Sequence, residues 1–176
     1  DPTADIVRRL FRAGVTDVLP TPVMPVELVA ALNTARGRKV EAPAPGAAAT
    51  GKIVTIIKTA GGVGATTLAA NLGAALVSMV EGKIALVDLD IQFGQVTTVL
   101  DLRPRMTVID AVRAGARLDP ILLASTLSAH ESGLEVLAAP NEITPLDAIS
   151  EQFIDRLFKN LRAVAAVSII EVPAAW

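Results

Sequence analysis

The sequence predicts an α/β fold in which a parallel sheet lies between two layers of helices. Runs of Val, Ile and Leu alternate with helical segments from residue 52 onward. Strands with continuous apolar residues must be covered on both faces, so this alternation is typical of a three-layer αβα arrangement. The apolar share of 52% is ample for such a core, and aromatic residues at only 3% indicate that the core is aliphatic.

Three segments follow one another along the 176 residues. Residues 1–38 are expected to be the C-terminal part of a small α/β domain, with helices over 4–13 and 25–36 and a buried strand over 17–19. Residues 39–50 are rich in Pro, Ala and Gly and lack periodicity, which indicates a linker. Residues 51–176 are the main domain. Its sheet is expected to be cut short, because the chain ends directly after a strand-like run.

The elements of the main domain are predicted from the spacing of their apolar residues. Helical spacing predicts helices over 66–79, 108–113, 120–127 and 145–164. Short β-branched runs predict strands over 54–57, 83–87, 134–137 and 166–172. The connections between parallel strands are expected to be right-handed crossovers.

Charge and composition exclude several classes of function. A net charge of −2 and a pI near 5.4 argue against broad electrostatic binding of nucleic acid. The chain has no cysteine, so disulfides and thiolate metal sites are excluded. No run reaches the roughly 18 apolar residues of a membrane span, and no signal peptide is evident.

A glycine-rich turn follows the first predicted strand and opens the helix over 66–79. Strand, glycine loop and helix form the layout of a phosphate-binding loop, because glycines let backbone N–H groups converge and a helix N-terminus attracts anions. Against the template G-x-x-x-x-G-K-[ST], Gly64 and Thr66 match, whereas Thr59 replaces the first Gly and Ala65 replaces the Lys. The residues expected to bind a nucleotide are Gly61, Gly62, Val63, Gly64, Ala65, Thr66 and Thr67.

The hydroxyl groups after this turn favour a mononucleotide. Thr66 stands where a Mg²⁺ ligand would lie, and Thr67 is placed to touch an α-phosphate. A dinucleotide fingerprint fails, because G-x-G-x-x-G would need a glycine where Thr67 stands. A tight strand-to-helix turn without any ligand remains an alternative.

Three carboxylates follow predicted strands at the edge where parallel sheets bind ligands. The strand over 83–87 runs into Asp88-Leu89-Asp90, and Asp90 is the candidate catalytic residue that would orient water. Glu171, in I-I-E-V-P, matches a Walker B site, where a carboxylate holds Mg²⁺ through water. The candidate metal ligands are therefore Thr66, Asp88 and Glu171. The alternative for each carboxylate is an exposed strand end without a role.

These elements together resemble the MinD/ParA deviant-Walker ATPases. The resemblance rests on K-T-A-G-G-V-G-A-T-T-L-A-A-N, then I-A-L-V-D-L-D-I-Q-F-G-Q, then I-I-E-V-P, and it covers nearly all of residues 52–176. Within that group the chain is similar to the CpaE/TadZ proteins of Flp (Tad) pilus assembly, most specifically in D-x-D-x-Q-F-G followed by D-L-R-P and T-V-I-D-A-V. The implied fold is a P-loop NTPase-like parallel sheet.

The first segment resembles the last third of a response-regulator receiver domain. The resemblance rests on R-A-G-V-T-D-V-L-P-T-P-V-x-P-x-E-L, and the CpaE/TadZ proteins join an atypical receiver to an ATPase-like domain in this order. A receiver carries a signalling Lys before the final Pro, whereas Thr21 precedes Pro22 here. Some other α/β fragment is the alternative.

The loop departs from the family at two positions. ParA-type proteins carry a signature Lys before the Gly pair and a second Lys within the loop, and Ala60 and Ala65 stand at those positions. Lys58 lies before the turn and is not expected to replace either. Each missing lysine removes a charge-assisted contact of roughly 1.5–3 kcal/mol, so ATP and Mg²⁺ are expected to bind weakly. Hydrolysis is expected to be weak or absent, because the transition-state charge lacks both cations.

The resemblance implies a degenerate ATP-binding or pseudo-ATPase protein that acts as a localisation and assembly factor for Flp (Tad) type IV pili. Its implied partners are the pilus secretion ATPase, the inner-membrane platform proteins and a second copy of itself. Its implied location is the cytoplasm, peripherally at the inner membrane or cell pole. Two alternatives are an active ParA/MinD-type ATPase that positions a cellular cargo, and a receiver-controlled signalling protein.

Overall fold

The computed structural model describes residues 15, 17–19, 23–24, 27–28, 31 and 51–173. The chain falls into two compact units, Asp1–Ala47 and Ala48–Trp176. The predicted helix over 4–13, the linker over 39–50 and the Thr21 position lie outside the described residues.

In the first unit, one prediction agrees with the described residues and one is wrong. Glu27 and Leu28 are helical, as expected for the segment over 25–36, and the Leu28 N–H donates to the Met24 carbonyl at 3.1 Å. Residues 17–19, predicted as a buried strand, have no regular secondary structure, and Asp17 is exposed. The Val18 N–H donates to the Asp17 side chain at 2.8 Å instead of to a neighbouring strand. Such local side-chain bonds compete with strand pairing.

The second unit carries five strands and five α-helices within residues 51–173. None of these helices is long and apolar enough to span a bilayer. The strands are β1 (Lys52–Ile57), β2 (Ile84–Asp88), β3 (Ser128–Ala129), β4 (Glu135–Leu137) and β5 (Val167–Val172). The helices are α1 (Ala65–Met79), α2 (Val96–Val99), α3 (Val108–Ala114), α4 (Pro120–Thr126) and α5 (Glu151–Val164), with 3₁₀ turns at Gly115–Arg117 and Leu146–Ala148.

The strands form one sheet in the order β1-β5-β2-β4-β3. The pairs β1–β5, β5–β2 and β2–β4 are parallel, which confirms the predicted α/β fold. The two-residue strand β3 pairs antiparallel with β4 and was not predicted. It follows α4 directly and lies at the edge of the sheet, so it adds no new layer.

Apolar residues on the two faces of the sheet form two separate cores. Along β2, Ala85 and Val87 pack with α3, α4 and α5, whereas Ile84 and Leu86 pack with α1 and Val96. All five residues of β2 are buried. This alternation with both faces covered is the three-layer arrangement that the apolar strands predict.

The predicted long helix over 145–164 is shorter than expected. A 3₁₀ turn covers Leu146–Ala148, Ile149 is extended, and α5 begins only after Ser150. The Ser150 hydroxyl accepts a hydrogen bond from the Phe153 N–H at 3.2 Å, which caps the helix. The apolar spacing ran through this break, so periodicity alone placed the helix start too early.

Candidate functional site

Three strands end together at the carboxyl edge of the sheet. Ile57 of β1 lies opposite Val172 of β5, and Asp88 of β2 lies opposite Glu171 of β5. The residue after β1 is still hydrogen-bonded to β5, because the Lys58 N–H donates to the Val172 carbonyl at 3.1 Å. The residues that follow β1 and β2 are therefore held beside the end of β5.

The glycine loop, residues 59–64, lies between β1 and α1 and is exposed throughout. Gly62 and Gly64 have φ angles of 73° and 80°, a left-handed conformation that favours glycine. A Cβ placed on either of them, or on Gly61, would meet nothing within 4 Å in the described part of the chain. Helix α1 starts without a side-chain cap and without an acidic residue in its first turn. Its first amides are therefore available to an anion.

Thr66 connects the start of α1 with the end of β5. Its hydroxyl donates a hydrogen bond to Oε1 of Glu171 at 2.5 Å. Glu171 is fully buried, and its second oxygen, Oε2, has no hydrogen-bond partner among the described residues. Two of the predicted metal ligands thus touch each other directly. Of the other two predicted nucleotide-binding residues of α1, Thr67 is exposed and Ala65 is partly buried.

Lys58 joins two of the predicted carboxylates. Its Nζ lies 2.9 Å from Oδ2 of Asp90 and 2.9 Å from Oε1 of Glu171. Burial alone would lower the pKa of the Lys58 ammonium, but hydrogen bonds and charges from Glu171 and Asp90 outweigh that effect and raise the pKa above its ordinary value. We call Lys58, Asp88, Asp90 and Glu171 the carboxylate centre.

Asp88 is held by backbone N–H groups. Its Oδ1 accepts from the Asp90 N–H at 3.0 Å, and its Oδ2 accepts from the Val96 N–H at 3.2 Å. Burial raises the pKa of the Asp88 carboxyl to about 7, and the Glu171 charge adds to this; the two backbone hydrogen bonds and the Lys58 charge oppose it. At neutral pH Asp88 therefore exists as a mixture of its protonated and ionised forms.

Asp90 follows β2 and is fixed on both of its oxygens. Oδ1 accepts from the Phe93 N–H at 3.0 Å, while Oδ2 is bound by Lys58. Asp88, Asp90 and Glu171 are only 1%, 6% and 0% exposed, so the alternative of exposed strand ends is wrong for all three. Carboxylates buried so deeply need partners, and these are the Lys58 ammonium, the Thr66 hydroxyl and three backbone N–H groups, those of Asp90, Phe93 and Val96.

Two residues of this edge were missed or underestimated by sequence reasoning. The position of Lys58 before the turn predicts no role for it, yet Lys58 is the cation of the carboxylate centre. Gly94 received no role, although a Cβ there would lie 2.5 Å from Oδ2 of Asp88 and 2.3 Å from the Ala139 Cβ. The D-x-D-x-Q-F-G stretch contained a signal for Gly94. For Lys58 the signal is its position: it directly follows β1, and the glycine loop after it contains no lysine.

The sheet, the glycine loop and the carboxylates at neighbouring strand ends together define a P-loop nucleotide-binding fold. A family model described as an AAA domain matches residues 51–163, more than half of the chain. The chain therefore belongs to this family. A comparison with curated protein sequences finds no significant match.

Solved structures confirm the MinD/ParA-type fold. A ParA family ATPase from Chlorobium tepidum TLS has 20% identity and a TM-score of 0.64, over 72% of this chain and 53% of that one. Cobyrinic acid a,c-diamide synthase from Mycobacterium smegmatis, with ATP analog and magnesium, has 24% identity and a TM-score of 0.55, over 71% and 52%. The septum site-determining protein MinD with Mg-ADP from Pyrococcus horikoshii OT3 has 22% and 0.52, over 71% and 50%.

This chain spans about half the length of each of these proteins. At such identities the likeness shows the fold alone. Two of the three were crystallised with a nucleotide and magnesium, so both ligands are compatible with this fold.

Proposed function

We propose that this chain is a degenerate nucleotide-binding protein whose glycine loop binds ATP weakly, with little or no hydrolysis. The observation that carries this proposal is the open loop, which offers backbone amides but no lysine. Gly62 and Gly64 shape the loop, and the uncapped start of α1 adds the helix dipole. The nearest lysine, Lys58, is held by Asp90 and Glu171 instead.

The missing charges set the expected affinity. Two charge-assisted contacts of roughly 1.5–3 kcal/mol each would account for about two to four orders of magnitude in the dissociation constant. The backbone cradle remains, so binding should be weakened and not abolished. Transition-state charge on a transferred phosphoryl group would meet neither lysine, which is why hydrolysis should suffer more than binding.

Calorimetric titration of Mg-ATP into the full-length protein tests this proposal. The parent is compared with an Ala60→Lys/Ala65→Lys double variant, which adds one lysine to the exposed loop and one at the first residue of α1. We expect weak binding by the parent and binding at least about 100-fold tighter by the variant. If neither protein binds ATP, the loop is architectural and the proposal fails.

The same samples address a second candidate, an active ParA/MinD-type ATPase that positions a cargo. Family membership and the fold favour it, while Ala60 and Ala65 count against it. Turnover by the parent that depends on Mg²⁺ and disappears in Asp90→Ala would favour this candidate over the degenerate one.

For the cellular role, we propose localisation and assembly of Flp (Tad) pili. Support comes from the sequence resemblance to CpaE/TadZ proteins in D-x-D-x-Q-F-G, D-L-R-P and T-V-I-D-A-V. The proposed partners are the pilus secretion ATPase, the inner-membrane platform proteins and a second copy of this chain. The proposed location is the cytoplasmic side of the inner membrane or the cell pole.

Electron microscopy of cells that carry the gene tests this role. Deletion of the gene should remove Flp pili from the cell surface, and re-expression of the full-length protein should restore them. Immunoblots for the secretion ATPase control for loss of the machinery itself. Normal pilus numbers in the deletion strain would eliminate the assembly role while leaving nucleotide binding untouched.

A further inference from the structure

The Lys58 ammonium lies between two carboxylates, those of Asp90 and Glu171, in the position that a cation would need to neutralise both. Its Nζ is 2.9 Å from oxygens of both Asp90 and Glu171, and the Thr66 hydroxyl donates to the same Glu171 oxygen. The side chains of Lys58, Asp90 and Glu171 are 15%, 9% and 0% exposed. The ammonium is therefore an enclosed counter-ion with two carboxylate partners.

The oxygens of this centre, as placed, do not fit magnesium. Mg²⁺ requires near-octahedral oxygen ligands at about 2.0–2.1 Å. Both oxygens of Asp88 accept backbone N–H bonds, and Asp90 is engaged by the Phe93 N–H and by Lys58. Oε1 of Glu171 is taken by Lys58 and Thr66, while Oε2 is buried and has no partner in the part of the chain that the structure describes. Within the described residues, no group of three or more His, Asp or Glu side chains is arranged to hold a metal ion.

We propose that Lys58 is a resident monovalent counter-ion that replaces the divalent cation of this fold, so that the glycine loop holds nucleotide without a metal. The statement about nucleotide rests on the proposed function. The statement about Lys58 concerns the carboxylate centre alone and is tested separately.

Displacement of Lys58 by a metal ion would be unfavourable for two reasons. The ammonium would lose both carboxylate partners, while the backbone of Lys58 would stay in place through the hydrogen bond from its N–H to the Val172 carbonyl. A buried charge without partners is strongly disfavoured, and a strongly hydrated Mg²⁺ would also have to shed water. Removal of the ammonium reverses this situation, because Oδ2 of Asp90 and Oε1 of Glu171, each 2.9 Å from Nζ, would then face the vacated position.

Titration of Mn²⁺ alone into the full-length protein tests the exchange, with electron paramagnetic resonance reporting free Mn²⁺. The parent should leave the free signal unchanged. Lys58→Met should take up one Mn²⁺ per chain, at least about tenfold more tightly than the parent. The double variant Lys58→Met/Glu171→Gln should lose that uptake.

Lys83→Met is the matched control. Lys83 also pairs with a carboxylate, Glu135 at 3.3 Å, but its side chain is 57% exposed. Loss of this lysine should leave Mn²⁺ uptake at the level of the parent. Increased uptake by Lys83→Met would show that any lost positive charge attracts the metal, and the proposal would be overturned.

Circular dichroism first establishes whether Lys58→Met is folded. If it is not, the parent decides: one-site Mn²⁺ uptake that Glu171→Gln abolishes overturns the proposal, and no uptake supports it. Uptake by folded Lys58→Met no greater than that of the parent also overturns it. Because no nucleotide is present, these outcomes do not depend on ATP binding. For the parent, ATP affinity in EDTA should then equal that in Mg²⁺ within about threefold.

Discussion

The glycine loop begins directly after Lys58 of the carboxylate centre, yet the two regions use opposite physical means. The glycine loop is exposed and presents backbone groups, and a Cβ added to any of its three glycines would meet nothing within 4 Å in the described residues. The carboxylate centre is buried and consists of side chains whose oxygens are nearly all engaged. The glycine loop is shaped to accept a ligand, whereas the carboxylates of the centre already have hydrogen-bond and ion-pair partners within the protein.

This difference separates recognition from stability. Substitutions at loop positions other than Gly62 and Gly64 are expected to change what the loop binds but to disturb few contacts, because surface positions without special backbone geometry contribute little to stability. Substitutions in the carboxylate centre remove one partner of a buried charge, which is strongly destabilising.

The largest effect expected to distinguish the two regions is a pH dependence of the free energy of unfolding, which Asp88 of the carboxylate centre produces. The pKa of this carboxyl is raised to about 7 in the folded protein, so the folded state holds its proton more tightly than the unfolded chain does. Stability from this group is therefore present at low pH and is lost as pH rises through about 7. Between pH 5 and pH 8 the free energy of unfolding should fall by about 2–3 kcal/mol from this group.

Urea unfolding of the parent and of Asp88→Asn at pH 5 and pH 8 measures this loss. The variant should be less stable at both pH values, because its amide serves only one of the two backbone N–H groups as acceptor. Its stability should nevertheless change less between them. Asp155→Asn, at an exposed position on α5, should keep the pH dependence of the parent. Equal slopes for the parent and Asp88→Asn would contradict the assignment.

Sequence periodicity predicted most of the fold, because a strand buried on both faces of the sheet needs a continuous run of apolar residues that is visible in the sequence. The apolar runs of β2 and β5 and the spacing of α1 appear directly in the chain. Strand β3 has no such run, since two residues cannot show a period. The early break before α5 depends on the Ser150 cap, and periodicity does not respond to caps.

The sequence predicted the residues of the candidate site but not the ion pairs and hydrogen bonds between them. Strand ends indicated Asp88, Asp90 and Glu171, because parallel strands deliver their carboxyl ends to one edge. The ion pair between Lys58 and Glu171 joins residues far apart in sequence, and no local pattern encodes it. Whether a strand-end carboxylate is buried or exposed depends on neighbouring elements, so both alternatives were compatible with the sequence.

A smaller effect sharpens the comparison by placing the same substitution in both regions. A Cβ on Gly94 would lie 2.3 Å from the Ala139 Cβ and 2.5 Å from Oδ2 of Asp88, so Gly94→Ala must push the carboxylate or the chain aside. Overpacking of this kind destabilises by about 1–3 kcal/mol. Gly61→Ala adds the same methyl group to the glycine loop, where nothing lies within 4 Å, and should change stability by less than about 0.5 kcal/mol.

Chemical denaturation of both variants beside the parent measures the difference. Gly94→Ala should also alter the Asp88 pH dependence, because the added methyl group displaces the carboxylate that the Val96 N–H holds. Gly61→Ala should leave that dependence intact. Similar losses of unfolding free energy in the two variants would show that the glycine loop is packed as tightly as the carboxylate centre. The distinction between an exposed loop and a buried, fully packed centre would then no longer hold.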